Sequence, residues 1–91
     1  MSYHLIYATK FKKDIKLCQK RNYDFTILKQ VIELLEVKGK LPLNYKPHIL
    51  SGDYSNHWEC HIKPDWLLIW TQDEENKEIY LVRTGTHADL F

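Results

Sequence analysis

The chain has 91 residues, a length that suits a single domain over 1–91. Because 44% of the residues are hydrophobic and 27% are charged, the composition is that of a globular protein and argues against disorder. No stretch approaches the roughly 20 apolar residues that cross a bilayer, and the first residues show no signal-peptide pattern, so we expect a cytoplasmic protein that does not bind membranes. The net charge is only +1, but residues 1–46 hold ten Lys/Arg against four Asp/Glu, whereas residues 47–91 hold three against eight.

A strand and a basic helix are predicted first. Residues 3–8 mix aromatic and β-branched side chains, which indicates a strand. Over residues 10–21 the apolar side chains recur at helical spacing, and Thr9 can cap the start of this helix. The other faces of the helix carry Lys12, Lys13, Lys16 and Lys20. We expect this lysine surface to hold RNA phosphates, and the plain alternative is a solvated helix surface.

A second helix of similar length follows a short break. Asp24 is a candidate N-cap, and Gly39 is the expected C-terminal stop. Because so few residues join the two helices, they should form a hairpin that buries its apolar stripes on one face of a sheet. The basic helix and this second helix together account for the helical part of the chain.

The second half predicts strands. Residues 40–56 are expected to be a loop with one short strand around 48–50, because prolines interrupt it. In the next segment Trp58, Cys60 and Ile62 alternate with polar residues, which turns these three toward the core and His61 to the opposite face.

Two further strands complete the predicted sheet. The run 66–70 is apolar enough for a central strand, 73–76 is a polar hairpin turn, and 79–83 is the next strand. The segment after it is expected to be flexible. The order β-α-α-β-β-β, with one more strand possible, predicts an α+β fold in which a helical hairpin packs on a mostly antiparallel sheet of four or five strands.

Histidines of the second half form a candidate catalytic group. His48, His61 and His87 fall near element ends or on the non-core face, with Asp65 in the turn after His61 and Arg83 four residues before His87. Imidazole titrates near neutrality, so it can both give and take protons. A base for the ribose 2′-OH, an acid for the leaving 5′-oxygen and a guanidinium for the extra negative charge are the groups that RNA transesterification needs.

Aromatic residues lie beside these groups. Trp66, Trp58 and the last residue, Phe91, can stack on bases drawn out of helical order. For the two tryptophans a place in the core is the more common alternative, because both lie in apolar strands. Phe91 is less easily explained by packing, since a terminal residue is rarely buried.

Metal and thiol chemistry are disfavoured. The neighbours Cys60 and His61 point to opposite faces of a strand and cannot readily share one tetrahedral ion. Cys60 is expected in the core, where a thiol is inert, and its distance in sequence from Cys18 does not suggest a disulfide. We therefore predict neither a metal site nor a cofactor.

Three segments combine the candidate residues: 45–48 (Tyr-Lys-Pro-His), 59–66 (Glu-Cys-His-Ile-Lys-Pro-Asp-Trp) and 83–91 (Arg-Thr-Gly-Thr-His-Ala-Asp-Leu-Phe). Together they resemble the motifs of YafQ-type toxins, a branch of the RelE/ParE toxin superfamily. The resemblance extends to chain length, to the basic first helix and to the order of elements, so it covers essentially the whole sequence. It implies a RelE-like fold.

The resemblance also implies a function. Such a protein is the toxin of a type II toxin–antitoxin system, an endoribonuclease that cleaves messenger RNA on the ribosome. Position by position, it assigns catalysis to His48, His61, Asp65 and His87, phosphate stabilisation to Arg83, and substrate contact to Trp66 and Phe91. His87 as acid with Asp65 or His61 as base, and the reverse, both stay open. The implied partner is an antitoxin, a ribbon-helix-helix protein similar to DinJ, through which alone the toxin would meet operator DNA.

Two other functions remain open on the same fold. A toxin of the ParE type inhibits DNA gyrase, and that activity does not require the histidine group. A domain that binds the antitoxin without catalysis is the second alternative. The only feature that favours it is Trp58, because related sequences commonly have arginine at this position.

Overall fold

The computed structural model describes residues 2–91 and has the α+β architecture that the sequence predicts. In chain order its strands and α-helices are β1 (His4–Tyr7), α1 (Thr9–Lys20), α2 (Phe25–Lys38), β2 (His48–Ile49), β3 (Trp58–Lys63), β4 (Trp66–Asp73), β5 (Glu78–Gly85) and α3 (His87–Leu90). Short 3₁₀ turns at Leu43–Tyr45 and Gly52–Tyr54 flank β2. Within the range described, no helix is long and apolar enough to cross a membrane.

The ends of the two long helices follow local chemistry. Asp24 caps α2 by accepting a hydrogen bond from the backbone N–H of Thr26 at 3.0 Å, and Gly39 ends it in the left-handed conformation with φ 68°. Both of these predictions are confirmed. The predicted cap by Thr9 is wrong, because α1 already begins at Thr9 and Ala8 holds the N-cap position.

The five strands form one sheet in the order β1-β5-β4-β3-β2. Strand β1 pairs with β5 in parallel, and the other three pairings are antiparallel. This confirms the predicted mostly antiparallel sheet. The helices α1 and α2 connect β1 to β2 at the opposite edge of the sheet, and the antiparallel run from β2 to β5 then brings β5 alongside β1.

The two faces of the sheet differ sharply. One face, which we call the helix face, carries the main core, where α1 and α2 pack on residues such as Cys60, Leu68 and Trp70. The opposite face, here called the open face, carries a small apolar cluster of Leu67, Ile69 and Leu90. Successive side chains of a strand point to opposite faces, so β3 and β4 contribute to both.

The C-terminal segment, expected to be flexible, forms the helical turn α3. The side chain of Thr86 accepts a hydrogen bond from the backbone N–H of Asp89, and the Asp89 carboxylate accepts one from the N–H of Thr86. Arg21, next to the end of α1, forms a two-pronged ion pair with the same carboxylate, at 2.6 and 3.0 Å. Capping and this ion pair together hold α3 against α1.

Candidate active site

The three predicted histidines lie in a row on the open face. The ring centroids of His48 and His61 are 6.2 Å apart, and those of His61 and His87 are 5.9 Å apart. They come from β2, β3 and the start of α3, so the chain folds three distant segments to one place. The structure therefore brings together the imidazoles that the sequence analysis had grouped.

Strand register explains this arrangement. His48 in β2 is paired with Glu59 in β3, and His61 follows two residues later on the same face. His61 in turn is paired with Leu67, which belongs to the open-face cluster. The tight connection between β3 and β4 then places Asp65 next to the start of α3.

Asp65 and His87 form a carboxylate–imidazole pair. Oδ1 of Asp65 lies 2.5 Å from Nδ1 of His87 and accepts the backbone N–H of the same residue at 2.9 Å. The backbone and then the side-chain hydrogen bond from His87 lower the pKa of Asp65, so it is a carboxylate at neutral pH. Because a carboxylate only accepts, Nδ1 of His87 carries the hydrogen and Nε2 is left to meet a substrate.

Glu59 and His48 form a second such pair, which the sequence analysis missed. Oε1 of Glu59 lies 3.1 Å from Nε2 of His48, while Nδ1 of His48 lies 2.7 Å from the carbonyl oxygen of Lys46. Glu59 is only 5% exposed, unusual for a carboxylate. The signal was present in the alternation of β3, which places Glu59 on the same face as His61. His61 itself has a longer contact of 3.4 Å from Nδ1 to the carbonyl of Pro64.

Arg83, the predicted phosphate-stabilising cation, is held at one edge by a residue that the sequence analysis also missed. Asp14 accepts hydrogen bonds from Nε and Nη2 of Arg83 at 2.7 and 3.1 Å, and from the backbone N–H of Thr84 at 3.1 Å. The hydrogen bond with Asp14 raises the pKa of Arg83. Nη1 donates to the hydroxyl of Tyr54 at 3.4 Å.

This pairing limits what Arg83 can do. Its guanidinium carries five N–H donors, and Asp14 uses two of them. Within residues 2–91, none of its hydrogen bonds reaches the three histidines. Of the remaining donors, Nη1 contacts the hydroxyl of Tyr54, whose ring packs edge-on against Phe91 at 5.5 Å. Arg83 therefore lies at the end of the site where Tyr54 and Phe91 pack together.

The two aromatic residues predicted to contact substrate differ in their surroundings. Phe91 is 64% exposed, so its ring offers a surface to a base. Trp66 is 3% exposed, packs on Tyr23 at 4.7 Å and donates its indole N–H to Oγ1 of Thr84 at 2.9 Å. Only a small part of the indole is accessible, at a surface pocket that it lines with Asp65, so contact between Trp66 and substrate stays a prediction.

Trp58 also lies away from the histidines. Its ring stacks on Trp70 with centroids 6.1 Å apart and an interplanar angle of 13°, and it packs against the core on the helix face. Glu59 and His61 point to the other side of the sheet. The departure from the family pattern at this position therefore removes no side chain from the open face.

The predicted lysine surface of α1 is present. All four of its lysines are exposed: Lys12, Lys13, Lys16 and Lys20. The opposite side of α1 is tied to the site, since Asp14 holds Arg83 and Arg21 holds Asp89 in α3. The lysine surface and the contacts with the site therefore occupy different sides of α1.

The chemistry of the cysteines supports their exclusion from the reaction. Both are free and buried, and burial raises the pKa of Cys18 to about 11 and that of Cys60 to about 12. Neither thiol is ionised at neutral pH, so neither is a nucleophile. No group of three or more His, Cys, Asp or Glu in the described part of the chain is arranged to hold a metal ion.

Comparison with known proteins gives the same assignment along the whole chain. A family model described as the bacterial toxin of a type II toxin–antitoxin system, YafQ, matches residues 3–91. The mRNA interferase toxin YafQ of Escherichia coli is 41% identical over 87 residues, which cover 93% of this chain and 91% of that protein.

Solved structures match equally well. A chain in the crystal structure of the E. coli DinJ-YafQ toxin–antitoxin complex superimposes with a TM-score of 0.88 at 38% identity, covering 100% of this chain and 99% of the other. A metal-bound toxin from Helicobacter pylori gives a TM-score of 0.88 at 35% identity and covers 100% of both chains. On the family model and the sequence identity, this chain belongs to the YafQ family of bacterial toxins from type II toxin–antitoxin systems.

Proposed function

We propose that this toxin is an mRNA interferase, an endoribonuclease that cleaves messenger RNA on the ribosome by metal-independent acid–base transesterification. The observation that supports this most directly is the row of three imidazoles on the open face, with a carboxylate bound to each end of the row. The E. coli relative, 41% identical, carries the name mRNA interferase toxin. Catalysis by placed acids and bases supplies about 10²- to 10⁴-fold in rate.

The reaction moves one proton at each end of the scissile bond. A base removes the proton of the ribose 2′-OH, the 2′-oxygen attacks the neighbouring phosphorus, and the bond from phosphorus to the 5′-oxygen breaks as an acid protonates that oxygen. His87 acts as the acid in its doubly protonated form: Nδ1–H stays bound to Asp65, Nε2–H gives its proton to the 5′-oxygen, and a neutral His87 remains. His61 is the better base. Asp65 is the weaker candidate, because its lowered pKa makes it a poor proton acceptor. The products carry a 2′,3′-cyclic phosphate and a 5′-hydroxyl.

The other predicted residues bind and stabilise the substrate. Arg83 holds the extra negative charge of the transition state with the donors that Asp14 leaves over. Phe91 stacks on a base beside the cleavage site. The lysine surface of α1 holds phosphates of messenger or ribosomal RNA, which gives binding that weakens with salt.

The partner is an antitoxin of the ribbon-helix-helix type. The E. coli relative forms a complex with DinJ, and this chain covers 99% of the matched chain in that complex at a TM-score of 0.88. A DinJ-like antitoxin would cover this toxin and carry the contact with operator DNA. Because the substrate is translated RNA, we place the toxin in the cytoplasm, with no role at a membrane.

The alternatives are less well supported by the geometry. Gyrase inhibition of the ParE type gives no reason for three aligned histidines with carboxylate partners. An inactive antitoxin-binding domain was suggested by Trp58, but this residue lies on the helix face and leaves the open face complete.

The metal-bound toxin from H. pylori makes metal dependence the critical question. We would measure cleavage of a translated messenger RNA with 1,10-phenanthroline, a chelator that removes transition metals and leaves the Mg²⁺ that ribosomes need. Full cleavage with 5′-hydroxyl ends is expected. Loss of cleavage that returns on adding metal, or 5′-phosphate ends, would contradict the proposal. In the same assay His87→Gln should lose most of its cleavage. Its matched control is His4→Gln, which changes an exposed histidine of β1.

A further inference from the structure

His48 is held at both of its ring nitrogens. Nδ1 lies 2.7 Å from the carbonyl oxygen of Lys46, and Nε2 lies 3.1 Å from Oε1 of Glu59. A carbonyl oxygen only accepts, so Nδ1 must carry a hydrogen. A neutral His48 would then turn the lone pair of Nε2 toward a carboxylate, which also only accepts. The contact with Glu59 therefore requires a proton between the two residues.

The surroundings indicate which residue carries that proton. The His48 side chain is 45% exposed, so water can solvate a positive charge there. As an imidazolium it donates one N–H to Lys46 and the other to Glu59, which satisfies both. Oε2 of Glu59 is buried and has no hydrogen-bond partner among the described residues. The imidazolium is thus the main support of the buried carboxylate.

His61 is the titratable group next to this pair, and others lie further along the site. On the same face of the sheet and on the elements packed against it these groups are His61, Asp65, His87, Arg83, Asp14 and Tyr54. Two carboxylates in this set already have partners, since Asp65 binds His87 and Asp14 binds Arg83. Glu59 is left to bind His48.

We propose that Glu59 is a positioning residue that fixes the orientation of His48 and keeps it doubly protonated, so that His48 serves the site as a fixed cation and not as a proton carrier. Because Glu59 is buried behind the ring, the pair presents its positive end to the open face. The part that concerns catalysis rests on the proposed ribonuclease function. The protonation state of His48 does not, because it is a property of the toxin without substrate.

The first test is ¹⁵N NMR of the histidine rings in the intact chain at neutral pH. We expect both ring nitrogens of His48 to give the signals of protonated imidazole. In Glu59→Gln the amide can still donate a hydrogen bond to Nε2, so His48 should keep its orientation and give the two distinct signals of a neutral ring. A neutral His48 in the unmodified toxin would overturn the proposal, whatever its activity.

The second test is a double-mutant cycle on RNA cleavage. Glu59→Gln should lower kcat about 10- to 100-fold with little change in KM, because it removes the charge that a hydrogen bond to an ion maintains. In a His48→Ala background the same change should cost little more, since Glu59 acts through His48. An equal loss in both backgrounds would refute that coupling.

Two controls separate this role from folding and from the reaction as a whole. Glu75→Gln changes an exposed glutamate of the β4–β5 turn and should leave both the NMR signals and kcat unchanged. Thermal unfolding of every variant reports whether the fold survives. If the toxin cleaves no RNA at all, the proposed function fails while the NMR result still decides the state of His48.

Discussion

The two faces of the same strands serve different purposes. On the helix face of β3 and β4, Cys60 and Leu68 are fully buried beneath α1 and α2. On the open face, their neighbours Glu59 and His61 stand among polar groups and a small apolar cluster. Residues one position apart therefore contribute to stability or to chemistry according to the side of the sheet that they meet. Substitutions on the two faces should consequently change different measured quantities.

The largest effect is expected from His87→Gln on the open face. Loss of the general acid should reduce RNA cleavage about 10²- to 10⁴-fold, because proton transfer to the leaving oxygen is no longer assisted. The melting temperature should hardly change, since the side chain is about half-exposed. Cleavage rates and thermal unfolding of the same preparation check both points. If His87→Gln unfolded more readily but cleaved RNA at the normal rate, this open-face residue would contribute to stability and not to chemistry.

The corresponding change on the helix face is Leu68→Ala. This side chain is fully buried in the main core, so its loss leaves a cavity and should lower the free energy of unfolding by about 2–5 kcal/mol. Denaturant unfolding measures the loss, and the folded fraction should cleave RNA at the normal rate. Leu43→Ala, at an exposed leucine, is the matched control and should cost less than about 0.5 kcal/mol.

Trp66 sharpens the comparison, because it is predicted to contact substrate and is also packed in the main core. Trp66→Phe keeps an aromatic ring but removes the indole N–H that donates to Thr84. We expect a loss of about 1–3 kcal/mol in unfolding free energy, since the Thr84 hydroxyl is buried, with KM unchanged. A raised KM at unchanged stability would instead support the predicted contact between Trp66 and substrate.

The smallest effect concerns pH and the attachment of α3. The hydrogen bonds from Arg21 and from Thr86 hold the pKa of Asp89 well below its usual range, so the folded state binds this proton less readily than the unfolded chain. The contribution to stability is therefore complete above the ordinary carboxyl value of 3.8 and is lost as pH falls below it.

The measurement is the difference in melting temperature between the unmodified toxin and Asp89→Asn, from about pH 6 to about pH 3. We expect a constant difference in the upper part of this window and a shrinking one below about pH 4. The contribution of Asp89 to the free energy of unfolding should be about 1 kcal/mol, because the Arg21–Asp89 pair is partly exposed. A difference that grows with acidity would show that Asp89 is not held as a carboxylate.

Some features of the site had local signals that could have been found. The helical turn α3 could have been predicted, because Asp89 follows Thr86 by three residues and this is the spacing of a capping box. Glu59 has the strand position of an open-face residue, two before His61. Asp14 had no such signal, because it is one acidic residue on a lysine-rich helix and its partner Arg83 lies 69 positions away.

The sequence by itself determined the elements, the helix caps at Asp24 and Gly39, and the separation of β3 into an apolar and a polar side. These depend on periodicity and on backbone preferences within a few residues. Only the tertiary structure decided which carboxylate binds which cation, that Trp66 is enclosed, and that both nitrogens of His48 are engaged. Such contacts depend on strand register and on the path of the connecting segments, which bring together residues that are far apart in the chain.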